Sequence, residues 1–177
     1  DPHIWFDLHF WKQCTEFVAA ELATFDKANA AFYKKNATDY IAALNTLEQE
    51  IDSSVLSLPT ENRVLVTAHD AFNYFGKAYY FEVVGLQGLS TATEAGVKDV
   101  QELSTFIVER KIKAVFVESS VPKRTIEALQ EAVKAKGHNV NIGGTLYSDA
   151  LGNKGSVEGT YLGMYRHNIS TIVNALK

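Results

Sequence analysis

From position 63 onward, short apolar runs rich in β-branched residues alternate with longer amphipathic segments, and this alternation limits the possible folds most. Residues 63–67 (Arg-Val-Leu-Val-Thr), 82–86 (Glu-Val-Val-Gly-Leu) and 113–117 (Lys-Ala-Val-Phe-Val) are too brief for helices and read as buried strands. Residues 139–142 (Asn-Val-Asn-Ile) form a weaker fourth. Between and after them the pattern predicts helices over 71–80, with Asp70 as N-cap, over 94–110, from Pro122 to Lys136 with a stop at Gly137, and over 158–176. Strands apolar on both faces and separated by helices imply an α/β fold, with a parallel four-stranded sheet flanked by helices.

The first third reads differently. Leu8, Trp11, Phe17, Val18, Leu22 and Phe25 recur at helical spacing over 4–25. Phe32, Tyr40, Ile41, Leu44, Leu47, Ile51 and Val55 do so over 27–58, and Pro59 closes the run. A helix of some thirty residues is about 45 Å long, enough to join two bodies or brace one along its side.

Composition excludes several classes. With 46% hydrophobic and 21% charged residues in 177, the chain can bury a proper core. A formal charge of −4 with no basic run argues against nucleic acid as partner. No apolar stretch approaches the length of a membrane span. The single Cys14 permits neither an intrachain disulfide nor a thiolate-rich zinc cluster. The opening Asp1-Pro2-His3, with no initiating Met or leader, reads as a processed or cut piece.

In a parallel α/β sheet, ligands sit beyond the carboxyl ends of the strands. His69 follows the first strand, Glu118-Ser119-Ser120 the third, and Tyr147-Ser148-Asp149 lies in the loop after the fourth. Each has a structural alternative: His69 as a helix-entry residue with a satisfied ring, Asp149 as a loop-shaping aspartate, Glu118 as a buried carboxylate bonded to backbone amides or serines. His9, His138 and His167 read as surface or packing residues. Gly85, Gly88, Gly143, Gly144 and Gly152 form no phosphate cradle, Ser119 and Ser120 no nucleophile elbow, and Cys14 has no polar company. Imidazole plus carboxylate remains, a set suited to a borderline divalent metal.

Four segments then resemble the metal-binding cluster of ABC-transporter solute-binding proteins, which handles zinc and manganese. They are 1–5 (Asp-Pro-His-Ile-Trp), 67–75 (Thr-Ala-His-Asp-Ala-Phe-Asn-Tyr-Phe), 116–120 (Phe-Val-Glu-Ser-Ser) and 146–151 (Leu-Tyr-Ser-Asp-Ala-Leu). Residues 36–51 resemble the long helix joining that family's two lobes. The resemblance implies an extracytoplasmic receptor, periplasmic or lipid-anchored, that holds one ion between two lobes and delivers it to a membrane permease. It implies His3, His69 and Asp149 as metal ligands, with Glu118 orienting a ligand rather than binding directly. A further histidine ligand is expected from an amino-terminal lobe that would precede Asp1. The division expected is 1–30 as a remnant of that lobe, 31–58 as the connecting helix, and 59–177 as the carboxyl-terminal α/β lobe.

Two imidazoles and a carboxylate favour zinc slightly over manganese. His3, near a chain end, would cost ordering entropy, so weaker binding than in an intact receptor is expected. The apolar face of the first helix is expected to pair with another copy. The rival reading is a small zinc hydrolase, with the same three ligands and Glu118 as general base. The metal reading requires the tips of His69 and Asp149 to lie well within about 10 Å of each other, because metal–ligand bonds are near 2 Å.

Overall fold

The computed structural model describes residues 1–92 and 95–177; Thr93 and the expected helix start at Glu94 lie outside the described residues. A 3₁₀ turn, Ile4–Phe6, leads into α1 (Leu8–Phe25), whose N-cap Asp7 accepts from the amides of His9 and Phe10. A second turn leads to α2 (Ala30–Leu56). The rest alternates: β1 (Val64–His69), α3 (Asn73–Tyr79), β2 (Glu82–Gln87), α4 (Val97–Arg110), β3 (Ala114–Glu118), α5 (Arg124–Ala135), β4 (Asn141–Leu146) and α6 (Tyr161–Leu176). No helix among the described residues is long and apolar enough to cross a membrane.

All four strands run parallel as expected, but ladder hydrogen bonds join β1 to β2 and β3 to β4 as separate pairs. β1 and β3 lie side by side between them, which gives the spatial order β2-β1-β3-β4. The connections therefore diverge at β1/β3, the kind of switch point where a crevice opens. Side chains alternate across each strand. Val64, Val66 and Ala68 of β1, with Val115 and Val117 of β3, face a core shared with Leu103, Ile107, Ile126, Leu129 and Val133 of α4 and α5. Leu65 of β1, with Ala114 and Phe116 of β3, faces a second core built from α2, α3 and α6. By the same period of two, His69 and Glu118 end their strands on this second side.

One expectation about helices is corrected. Asp70 caps nothing: α3 starts at Asn73 after Phe72, with no side-chain cap. The apolar stripe of α1 is largely uncovered, with Phe17 66% and Phe25 91% exposed, because no described residue packs on its outer side. α2 is divided similarly. Leu44, Leu47, Ile51 and Val55 in its carboxyl half are buried, whereas Phe32 is exposed. Lys12 of α1 pairs with Glu48 of α2, and the Trp11 indole donates to the Tyr40 hydroxyl, so the two helices form an antiparallel hairpin.

β4 begins two residues later than expected and runs through Gly143 and Gly144. The register passes from Val115↔Ile142 to Phe116↔Gly144, so Gly143 is an extra residue and the strand carries a bulge. A side chain there would strike Ala175 and the Phe116 ring, each 2.7 Å from an added Cβ. Glycine is equally required in β2: a Cβ on Gly85 would lie 2.6 Å from the Asp70 amide nitrogen, at the very end of β1.

Candidate metal site

His69 closes β1 with its ring wholly buried. Across the β1/β3 boundary, Glu118 is equally buried and points both oxygens at it. Its Oε1 accepts the His69 backbone N–H at 2.8 Å, and its Oε2 lies 2.7 Å from Nδ1 in ion-pair contact. With Nδ1 facing a carboxylate, the proton of the neutral ring belongs there and the Nε2 lone pair is left free. That Nε2 is buried and has no hydrogen-bond partner, lying 3.3 Å from Asp149 Oδ2.

His3 repeats the arrangement. Its Nδ1 donates to Asp1 Oδ1 at 2.7 Å, and its Nε2 lies 3.4 Å from the other oxygen of Asp149. The two imidazoles sit edge to face, centroids 5.4 Å apart. Donor atoms of His3, His69 and Asp149 all fall within 4.8 Å of one another. Three residues separated by up to 146 positions thus converge. One expectation changes: His3 is not a loose chain end but is 3% exposed, its segment sharing a core with Leu146 and Tyr165 through Phe6 and Leu8.

Their surroundings shift the pKa values of the two imidazoles in opposite directions. For His3, burial is the largest influence and lowers its pKa; Asp149 opposes this and His69 reinforces it. For His69, burial also disfavours protonation, but contact with Glu118 and the charges of Glu118, Asp149 and Asp70 together outweigh it, so its pKa is raised. The general-base role considered for Glu118 has no support here, since both its oxygens are engaged with His69 and neither reaches solvent.

A family model described as zinc-uptake complex component A, periplasmic (ZnuA) matches residues 1–175. The chain belongs to the ZnuA family. Among ZnuA relatives, it is 50% identical over 177 residues to the manganese-binding lipoprotein MntA of Bacillus subtilis (strain 168), covering 100% of this chain and 58% of that protein. The structure of the periplasmic zinc binding protein TroA from Treponema pallidum superposes with a TM-score of 0.97 at 50% identity, covering 99% of this chain and 64% of that one. Against the manganese ABC transporter substrate-binding lipoprotein PsaA of Streptococcus anginosus the identity is 27% over 176 residues, 99% of this chain and 55% of that protein. The chain thus spans between half and three-fifths of the length of these curated relatives.

Sequence reasoning overlooked two residues of the site. Asp1, quoted only as part of the Asp-Pro-His motif, orients His3. Asp70, read as a cap, instead places its charge near both imidazoles. For Asp1 a signal existed: a carboxylate two residues before a ligand-type histidine is within reach of its ring.

Proposed function

We propose that this chain is the metal-holding part of an extracytoplasmic receptor that captures a divalent transition-metal ion, zinc in preference to manganese, and passes it to the membrane permease of an ABC importer. One observation carries the reading: two imidazole Nε2 atoms, one of them buried without a partner, converge on the two oxygens of a single carboxylate. Donors around tetrahedral zinc, with bonds of about 2.0–2.1 Å, lie roughly 3.4 Å apart, close to the separations here. Two nitrogens to one carboxylate suits zinc by ligand type. His3, His69 and Asp149 are the proposed ligands, with Asp1 and Glu118 fixing the ring tautomers. The names of MntA, TroA and PsaA agree with the class of ion and divide over its identity.

Calorimetric titration with zinc and with manganese tests this. Zinc should bind at one site per chain and more tightly; no binding of either ion would end the reading. The pH dependence has a defined sign. A metal needs the neutral His69 ring, whose pKa is held above its ordinary 6.5, so protons compete before the pH falls to that value. Zinc affinity should be flat on the alkaline side and drop as pH falls through the raised value, approaching about tenfold per pH unit with one proton displaced. His3, with its lowered pKa, remains neutral through that range.

We also propose that the bare face of α1, with Phe17, Val18, Leu22 and Phe25, pairs with the same face of a second copy. Sedimentation velocity should show dimer growing with concentration and Phe17→Glu restoring monomer; a strict monomer for the unaltered chain excludes it.

A further inference from the structure

We propose that Trp5 is a positioning residue for the cation site, holding the segment that bears His3 against the loop that bears Asp149; this rests on the metal-binding reading above. Of the three donors, only His69 stands on a strand. His3 precedes a 3₁₀ turn, and Asp149, its side chain 34% exposed, lies in the bend after β4. Their mutual placement therefore depends on what ties the two irregular segments together.

The Trp5 indole makes that tie. Its Nε1–H donates to the backbone carbonyl of Ser148, the residue just before Asp149, at 2.9 Å. Its ring meets the His3 imidazole edge to face, centroids 5.3 Å apart at 74°. One side chain thus touches one ligand directly and grips the residue beside another. Both ends of the tie are anchored. The carbonyl of Trp5 accepts from the Tyr161 hydroxyl at 2.5 Å and that of Phe6 from the Tyr165 hydroxyl at 2.8 Å, fastening the amino-terminal segment to α6. On the other side, the Ser148 hydroxyl is bonded to that of Ser120, just beyond β3, at 2.9 Å. The Asn168 side chain accepts from the Tyr147 amide and donates to the Tyr147 carbonyl. The loop is a fixed platform, and the indole N–H sets the height of His3 above it. Ligands held this way need little reorganisation when an ion arrives, and that is where affinity is gained.

The test uses the whole 177-residue chain. Trp5→Phe keeps an aromatic edge beside His3 and removes the N–H. Zinc affinity should fall about 3–10-fold, the range of one hydrogen bond, and the visible absorption of the cobalt(II)-loaded protein should change in shape. Ile172→Val, a core substitution in the carboxyl half of α6, is the control. It should lower the thermal midpoint at least as much while keeping zinc affinity and the cobalt spectrum. If Trp5→Phe matches the unaltered chain in both readouts, or if Ile172→Val loses affinity in step with its midpoint, the proposal fails. A second measurement needs no folded Trp5 variant. With Trp11→Phe leaving one tryptophan, the Trp5 indole N–H resonance should exchange slowly with water and shift when zinc is added. A fast-exchanging, unresponsive resonance overturns the proposal. Zinc binding to the unaltered chain with these results absent refutes the role of Trp5 alone; no zinc binding at all refutes the underlying reading as well.

Discussion

Asp149→Asn should lower zinc affinity by more than about 100-fold, beyond the 10–100-fold that the outer partners of a ligand carry. The substitution is nearly isosteric, so its effect is chemical. Asp149 offers one oxygen to the side of each imidazole, and its charge is the one that would partly neutralise a dication among buried rings. Asparagine leaves a single weaker oxygen and an NH₂ group aimed at one Nε2. Asp149 lies outside both hydrophobic cores, and the metal-free variant should melt close to the unaltered chain. The contrast appears when metal is added. A ligand at 100 times its Kd stabilises by about 2.7 kcal/mol, which for a chain of this size raises the midpoint by roughly 5–10 °C. Differential scanning fluorimetry with zinc should show that rise in the unaltered chain and at most about 1–2 °C in Asp149→Asn. An equal rise in both would remove Asp149 from the site.

Glu118→Ala should cost about 2–6 kcal/mol of stability in the metal-free protein, because it leaves two buried donors without an acceptor at about 1–3 kcal/mol each. Its carboxylate is the acceptor for the His69 backbone N–H and the close neighbour of Nδ1, and both residues are buried. Alanine leaves both groups buried and unpaired at the junction of β1 and β3. Glu118→Gln separates the two duties. It keeps an acceptor for the amide but presents no charge to the ring, so much of the stability should survive. Loss of the tautomer constraint should then weaken zinc binding about 10–100-fold. Urea denaturation together with zinc titration distinguishes the two variants; Glu118→Gln with unaltered affinity would show that Glu118 does not orient His69.

The parts of the fold visible in the sequence are those governed by local patterns. The runs ending near His69 and Glu118 announce buried parallel strands because they are short, branched and bounded by polar residues. The switch point they flank gives the site its place. β4 was harder to read, because the glycine pair at its centre suggests a break unless the bulge and the crowding by Phe116 and Ala175 are known. His69 and Asp149 could be singled out by position alone, whereas His3 needed the family resemblance. What ties the segment around His3 to the rest of the fold was invisible to any window of sequence, since Trp5 reaches Ser148 across 143 positions and Tyr161 reaches Trp5 across 156.

The extra glycine in β4 decides where the last ligand arrives. Were Gly143 to pair with Phe116 instead of bulging out, the downstream strand would slide one step, about 3.3 Å, against β3, and every later side chain would exchange faces. Leu146 would leave the core it shares with Phe116, and the carboxylate three residues beyond would miss its place by more than the length of a coordination bond. A single unpaired residue, with no side chain to offer an ion, thereby sets the reach of the one acidic group that both rings face.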